Sequence, residues 1–208
     1  MKYEWRKQEK ELYLPKAKPT EITVPKQNFY TITGKGDPNS ERFSEETAAL
    51  YAMSYGIRMM PKRGVTPEGY FEYTVYPLEG IWTMSDEAIA EGRDFDKADL
   101  VYKIMIRQPE FVTEELALKN LAEISEKKPN PNNRHVKFET IEDGRALQML
   151  HVGPYDDEAK TFEIMTKYCE EHQLKKRRLD HREIYLSDPR KSAPEKMKTV
   201  LRYFLVGA

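Results

Sequence analysis

The chain has 208 residues, of which 33% are charged, and its formal net charge is −1. A chain of this length can bury a substantial core without disulfides. The near-zero net charge provides no long-range attraction for nucleic acid or an anionic membrane. No apolar run has membrane-spanning length, and the N-terminal residues do not form a secretory signal. We therefore expect a cytoplasmic globular protein with no nucleic-acid or membrane partner.

The cysteine and histidine content bears on redox and metal chemistry. A single cysteine, Cys169, excludes an internal disulfide and fits a reducing cytosol. We interpret it as a small buried residue of a helix core rather than as a reactive thiol. The four histidines show no metal-ligand spacing with cysteine or carboxylate residues. The sequence therefore predicts neither a metal site nor a cofactor.

The first half of the chain contains strand-like runs separated by turns. Residues 1–19 are charged and end in prolines, so they predict an N-terminal arm with a short helix over 2–12. Alternating apolar and polar residues predict four strands, at 22–24, 29–33, 70–77 and 100–107. We expect residues 77–82 to leave the sheet as a loop that carries Trp82.

Cap residues predict three helices in the same half. They cover 41–55, 86–91 and 113–126, and their expected N-caps are Ser40, Ser85 and Thr113. Gly56 is expected at the C′ position that follows the first of these helices. The third helix connects this half to the second half and carries acidic residues in its first turn.

The order of elements in the first half returns after a proline- and asparagine-rich boundary at 127–133. The pattern of 22–57, 70–77 and 99–107 matches that of 136–174, 181–187 and 197–206. We predict one α+β domain over 20–208, built from a first unit at 20–110, a connecting helix and linker at 111–134, and a second unit at 135–206. Two similar units that meet at a pseudo-twofold axis leave a groove that suits a ligand.

A late strand-like segment carries the leading site candidates. Side chains alternate on a strand, so His181, Glu183 and Tyr185 share one face and Ile184 and Leu186 share the other. In a sheet covered on one side, we expect Ile184 and Leu186 to meet the helices, which leaves Glu183 facing the groove. Partial desolvation there raises the pKa of a carboxyl group and favours binding of a cation or an acidic proton. The alternative is that this face is open to solvent and Glu183 is an ordinary polar residue.

Aromatic residues elsewhere are further ligand-binding candidates: Tyr73, Trp82, Tyr155 and Tyr203. Tyr73 lies on a predicted strand of which either face can line the groove. Trp82 either closes one side of a pocket or caps the hydrophobic core. Tyr155 follows a tight turn at a helix start, where the loop is too short and too poor in glycine to cradle phosphate.

These residues together resemble a known family. The run His151-x-Gly-Pro-Tyr155, the segment Glu183-Ile-Tyr-x-Ser-Asp-Pro189 and the final strand over 198–204 are similar to GyrI-like small-molecule-binding proteins. The same domain serves as the effector-binding part of multidrug-responsive bacterial transcription activators. Segments 34–38 and 76–82 resemble a stand-alone bacterial subfamily. No DNA-binding module precedes the domain here, so we do not expect the activator role.

The resemblance carries expectations about fold and function. It implies two pseudo-symmetric βαββ units that form a concave antiparallel sheet surface with helices on the outer side. It also implies a ligand held in an aromatic groove around Glu183, with Tyr155 and Tyr185 carried over by the same motifs. Some similar stand-alone members are cyclopropanoid cyclopropyl hydrolases, which open the cyclopropane of DNA-alkylating natural products with an aromatic cage.

Three functions are therefore compatible with these residues. The first is a cofactor-free hydrolase that detoxifies flat aromatic xenobiotics, in which Glu183 acts on water and Tyr185 donates to a carbonyl oxygen. The second is sequestration of cationic aromatic molecules without catalysis. The third is a protein-binding module that protects or inhibits gyrase, which requires an exposed apolar patch that no stretch of the sequence indicates.

Overall fold

The structure, a computed structural model, describes residues 2–207. Within them the chain forms six α-helices and eight β-strands. The helices are α1 (Trp5–Gln8), α2 (Lys10–Tyr13), α3 (Glu41–Arg58), α4 (Asp86–Glu91), α5 (Glu114–Lys127) and α6 (Glu158–Glu171). The strands are β1 (Thr20–Val24), β2 (Gln27–Lys35), β3 (Leu78–Met84), β4 (Leu100–Gln108), β5 (Lys137–Ile141), β6 (Gly144–Val152), β7 (Lys176–Tyr185) and β8 (Lys198–Leu205). Segregated helices and antiparallel strand pairs confirm the predicted α+β class.

The described residues group into two compact units. The first, called the β2 unit, contains residues 2–4, 27–78 and 84–141, and its strands lie in the order β4-β2-β5. The second, called the β7 unit, contains residues 5–26, 79–83 and 142–207, with strand order β1-β6-β8-β7-β3. The first strand of each sequence repeat pairs with the second strand of the other repeat, β1 with β6 and β5 with β2. The compact units are therefore not continuous stretches of the chain.

The helix starts follow the local cap chemistry that the sequence predicts. The hydroxyl groups of the three N-cap residues accept hydrogen bonds from backbone N–H groups three positions later, as listed: Ser40 from Phe43, Ser85 from Ala88 and Thr113 from Leu116. Each bond satisfies a donor that has no partner inside the helix. No helix in the described part of the chain combines the length and apolar character that crossing a bilayer requires.

The predicted end of α3 is wrong. The helix continues through Gly56 to Arg58, and Met59 occupies the C-cap position. A Cβ atom at Gly56 would lie 2.5 Å from Oδ1 of Asn120 and 2.7 Å from Cγ1 of Ile124. Both of these residues belong to α5, so the glycine is needed for close helix–helix approach and does not end the helix.

The predicted strand over 70–77 is also wrong. In that segment Tyr73 forms only an isolated bridge with Tyr3, and the strand is β3, which begins at Leu78. The aromatic side chains that produced the strand-like alternation pack with Phe111, which lies 5.5 Å from Phe71 and 6.1 Å from Tyr73 between ring centroids. Trp82 consequently lies within β3 and not on a loop.

One face of the β7 unit buries a network of charged side chains. Arg182 on β7 pairs with Glu79 at 2.9 Å and with Asp143 at 2.8 Å, and Asp143 also pairs with Arg202 at 3.0 Å. All four side chains are at most 2% exposed. Taking these charges out of water is costly, so each depends on its partners.

Residues of the expected N-terminal arm cover this charged face. Trp5 of α1 and Tyr13 of α2 are buried, with their ring centroids 5.0 Å apart. The backbone oxygen of Leu12 accepts a hydrogen bond from Arg202 at 3.2 Å. The segment therefore covers the face of the sheet that carries the buried charged network.

Replacing Gly56 with alanine tests the helix contact. Gly56→Ala should lower the free energy of unfolding by about 1–3 kcal/mol, because the added methyl group overpacks the α3–α5 contact. Exposed Ala48, on the same helix, provides the matched control. Ala48→Gly should lower the free energy of unfolding by about 1 kcal/mol through helix propensity alone. Alanine should therefore be the more stable residue at position 48, and glycine at position 56. Urea denaturation measures both, and a more stable Gly56→Ala variant would contradict the close contact.

Asp143→Asn tests the buried ionic network. The substitution leaves two buried guanidinium groups without their shared carboxylate, and we expect a loss of about 3–5 kcal/mol in unfolding free energy. Glu21→Gln is the control, because Glu21 forms a partly exposed pair with Arg145 and such pairs contribute about 0–1 kcal/mol. Equal effects of the two substitutions in chemical denaturation would show that the network adds nothing beyond a surface ion pair.

Candidate functional site

Strand β7 brings three predicted site residues onto one face. In the antiparallel register His181 lies opposite Tyr203, Glu183 opposite Leu201, and Tyr185 opposite Thr199 on β8. Directly opposed side chains of an antiparallel pair point to the same side of the sheet. The alternation that the sequence predicts for His181, Glu183 and Tyr185 is therefore present in the structure.

The prediction of which face the helices cover is wrong. Helix α6 lies on the face of Glu183, since its Phe162 ring is 4.5 Å from the ring of His181. Its Met165 belongs to the same core cluster as Leu201, which lies opposite Glu183. Ile184 faces the other way and is buried on the side of the arginine network. The alternation was correct, but the assignment of the helix-covered face was reversed.

Four residues form a hydrogen-bonded chain, which we call the Glu183 cluster: Trp82, His181, Glu183 and Tyr185. The indole N–H of Trp82 donates to Oη of Tyr185 at 2.7 Å, and the Tyr185 hydroxyl donates to Oε2 of Glu183 at 2.7 Å. Nε2–H of His181 donates to Oε1 at 2.9 Å. Hydrogen bonds of this kind stabilise the charged form of a carboxyl group.

Gly80 makes room for this arrangement. It lies opposite Glu183 in the β3–β7 register, and Trp82 lies opposite His181. A Cβ atom at Gly80 would be only 2.4 Å from Nε1 of Trp82. The missing side chain lets the indole fold back along its own strand toward Tyr185. Trp82 is 5% exposed, so it belongs to the hydrophobic core and to the cluster at the same time.

Aromatic rings surround the cluster on the α6 side. Phe162 stacks on Tyr203 with centroids 5.6 Å apart and an interplanar angle of 20°. Tyr155 meets Tyr185 edge-on at 5.7 Å. Tyr203 also makes a polar contact of 3.2 Å with Thr166, which ties its hydroxyl group to α6. The predicted candidates Tyr155 and Tyr203 thus border the same group of side chains.

His151 holds the turn that presents Tyr155. Its Nε2–H donates to the carbonyl oxygen of Pro154 at 3.1 Å, because a carbonyl can only accept. In the neutral imidazole, Nδ1 then accepts from the hydroxyl group of Thr161, 2.9 Å away. Gly153 adopts a φ of +141° in this turn, a conformation that suits glycine. The motif over 151–155 therefore has a local structural role that positions Tyr155.

The electrostatics of the site centre on Glu183, whose side chain is 13% exposed. Burial raises the pKa of Tyr185 well above its usual value, and the negative charge of Glu183 raises it further. Tyr185 therefore stays protonated and remains a donor. Burial also raises the pKa of Glu158 to about 9, and the charge of Glu183 is the second cause.

Glu158 is a buried acidic residue near the cluster that no sequence motif indicates. An acidic side chain in the first turn of a helix is ordinarily a favourable charge for the helix dipole, so its type alone does not point to burial. The spacing of Glu158, Phe162, Met165 and Cys169 places it on the buried stripe of α6, and it is 6% exposed. That periodicity was the available signal.

The remaining candidate, Tyr73, belongs to the β2 unit. It is 1% exposed and packs against Phe71 and Phe111. Its backbone oxygen accepts a hydrogen bond from Arg58 at 2.7 Å. Tyr73 therefore serves the core of its own unit. Within residues 2–207, no three His, Cys, Asp or Glu side chains converge in a way that could hold a metal ion.

A carboxylate bordered by aromatic rings suits the binding of small organic molecules. The chain belongs to the GyrI-like small molecule binding domain family, whose model matches residues 17–203. This confirms the resemblance found in the sequence motifs. No curated protein matches the chain.

Solved structures resemble the whole chain. A hydrolase from Listeria innocua is 38% identical, with a TM-score of 0.87 over 99% of this chain and 100% of that one. An uncharacterized conserved protein from Listeria innocua has the same identity and coverage and a TM-score of 0.90. The EcmrR C-terminal domain, at 12% identity and a TM-score of 0.56 over 92% of this chain and 98% of that one, shares the fold.

The raised pKa of Glu158 predicts a pH dependence of stability. Its folded value, about 9, exceeds the usual 4.5, so the native state holds a proton that the unfolded state releases as pH rises between these values. The stabilisation from protonated Glu158 is complete below about pH 4.5 and is lost as pH approaches about 9. Over that range the unfolding free energy falls by no more than about 1.4 kcal/mol per pH unit. Glu158→Gln should remove this pH dependence of stability. The melting temperature of the variant minus that of wild type should therefore increase from pH 5 to pH 9.

Exposed Glu163 on the same helix gives the control for that experiment. Glu163→Gln should leave the difference from wild type constant over the same pH range. A Glu158→Gln variant that parallels wild type at every pH would mean that Glu158 titrates at its usual value.

Proposed function

We propose that this protein binds flat aromatic small molecules beside the Glu183 cluster and hydrolyses a strained ring in some of them. The observation that carries the proposal is a carboxylate that accepts from His181 and Tyr185 and is still 13% exposed. A carboxylate has about four acceptor positions, so Glu183 retains capacity for a water molecule or a ligand. The name of the Listeria innocua hydrolase, 38% identical over the whole chain, supports a hydrolytic reaction.

Aromatic stacking is the proposed source of ligand affinity. The rings of Tyr155, Phe162 and Tyr203 border the cluster. A ring contact contributes about 0.5–1.5 kcal/mol beyond the burial of its area. A flat ligand with several such contacts is held with its reactive carbon near the carboxylate.

The proposed substrate is a DNA-alkylating compound whose cyclopropane is conjugated to a carbonyl group. Glu183 takes a proton from water while the water oxygen forms a bond to a ring carbon. The ring C–C bond breaks, and its electron pair moves through the conjugated system to the carbonyl oxygen. That oxygen takes up the proton, so one water molecule is added overall. Positioning and general-base assistance of about 10²–10⁴-fold act on a ring that is already strained, so the proposal needs no cofactor.

We assign Tyr185 to the positioning of Glu183. Its proton is donated to Oε2 of Glu183, while its oxygen accepts from Trp82. This differs from the expectation that Tyr185 donates to the carbonyl oxygen of the ligand. A fixed carboxylate loses little freedom when it engages water.

Sequestration without turnover is the second candidate. It is favoured by the same combination of an anionic carboxylate and aromatic faces, which attracts organic cations. Under this function Glu183 pairs with the positive charge of a ligand and takes no proton from water.

Glu183→Gln separates the two functions. If Glu183 is the base, the variant should lose about 10²–10⁴-fold in turnover of a cyclopropane-bearing alkylator while its affinity for a neutral aromatic ligand is unchanged. Mass spectrometry in ¹⁸O-labelled water measures the ring-opened adduct, and calorimetry measures affinity.

Glu163→Gln, an exposed change on α6, should match wild type in both measurements. Binding of the alkylator by wild-type protein without any water adduct would refute the hydrolase. Selective weakening of cation binding in Glu183→Gln would then support sequestration.

A further inference from the structure

Glu158 and Glu183 lie on facing elements of the β7 unit. Glu158 begins α6, and Phe162 follows it by about one helical turn, with its ring 4.5 Å from His181. Four helical residues rise about 6 Å, and two strand residues rise about 6.6 Å. Tyr155, just before α6, contacts Tyr185, so the helix runs opposite to β7 and brings Glu158 to the level of Glu183. The influence of the Glu183 charge on Glu158 agrees with this placement.

The two carboxyl groups differ in the number of hydrogen-bond donors that reach them. Glu183 accepts from His181 and from Tyr185. Oε1 of Glu158 is buried and has no hydrogen-bond partner among the described residues. The hydroxyl group of Thr199 lies nearby and offsets part of the rise in the Glu158 pKa, but its oxygen also lacks a partner at hydrogen-bonding geometry within residues 2–207. Donors favour the charged form of a carboxyl group, so the negative charge resides on Glu183.

We propose that Glu158 is a buried, neutral carboxylic acid beside Glu183, so that Glu183 is the only anion of the pair. The inference rests on the proposed function of Glu183 as the ligand-facing carboxylate. Two ionised carboxylates at such a site repel each other. A protonated Glu158 therefore keeps the site suited to a neutral ligand or to one positive charge.

The proposal predicts a change in the charge of the site at alkaline pH. The groups that interact electrostatically with Glu158 are Glu183 and Tyr185 on β7, Thr199 on β8 and Asp156 before α6. Tyr185 stays protonated beyond the range in which Glu158 ionises, because burial raises its pKa well above the usual value. Ionisation of Glu158 near pH 9 therefore adds a second negative charge to the pair.

A titration without ligand tests the charge assignment. Carboxyl ¹³C NMR of glutamate-labelled protein, with Glu158→Gln to assign the signal, should give a midpoint near pH 9 for Glu158. In Glu183→Gln that midpoint should fall by about one pH unit or more, because the neighbouring charge is gone. In Glu163→Gln it should not move. A midpoint in the usual glutamate range, or one that is unchanged in Glu183→Gln, would overturn the proposal.

A second measurement uses tetraphenylphosphonium as a cationic aromatic probe and does not depend on the folding of Glu183→Gln. Glu158→Gln replaces a neutral acid with a neutral amide of the same shape, so its affinity at pH 7 should equal that of wild type. Above pH 9 wild type should gain about tenfold or more in affinity from the second charge, while Glu158→Gln stays constant. A large loss or gain at pH 7 in Glu158→Gln would overturn the neutral assignment.

The two measurements distinguish failure of the inference from failure of the proposed function. A coupled titration of Glu158 and Glu183, with no binding of the probe by any variant, would retain the charge assignment and reject Glu183 as the ligand-facing group. Probe binding that depends on Glu183, with an uncoupled titration, would retain the function and reject the role of Glu158.

Discussion

The carboxylate of Glu183 is largely withdrawn from water, and a carboxylate in that situation needs hydrogen-bond donors whose positions are fixed. His181 and Tyr185 provide them from the same strand, two residues to either side. Neither donor is free to turn away, because Phe162 packs on His181 and Trp82 donates to Tyr185. The orientation of a single carboxylate is thus maintained by two strands and a helix.

The register between β3 and β7 serves both faces of the sheet at once. On one face it places Gly80 opposite Glu183, which leaves space for the Trp82 indole. On the other face it brings Glu79 within 2.9 Å of Arg182. Because side chains alternate, a slip of one residue would exchange the two faces. The buried ion pair and the candidate site therefore favour the same alignment.

The arrangement also separates the roles of neighbouring acidic groups. Glu183 is hydrogen-bonded and partly exposed, whereas Glu158 is buried and its Oε1 lacks a partner among the described residues. Two chemically identical side chains thus lie in different surroundings, one with hydrogen-bond donors and the other without, and such surroundings act differently on the charged form of a carboxyl group.

Local sequence determined the features that depend on neighbours along the chain. Cap residues set the starts of α3, α4 and α5, and strand alternation put His181, Glu183 and Tyr185 on one face. The motifs of the second repeat were also sufficient to recognise the family.

Tertiary structure decided the features that depend on contacts between distant segments. These were the helix that covers Glu183, the position of β3, the place of Gly56 within α3, and the burial of Glu158. Periodicity shows which side chains lie together on a surface, but not which surface another element covers. That choice depends on strand pairing and helix packing between distant segments, and it brought four residues of ordinary local pattern together as the Glu183 cluster.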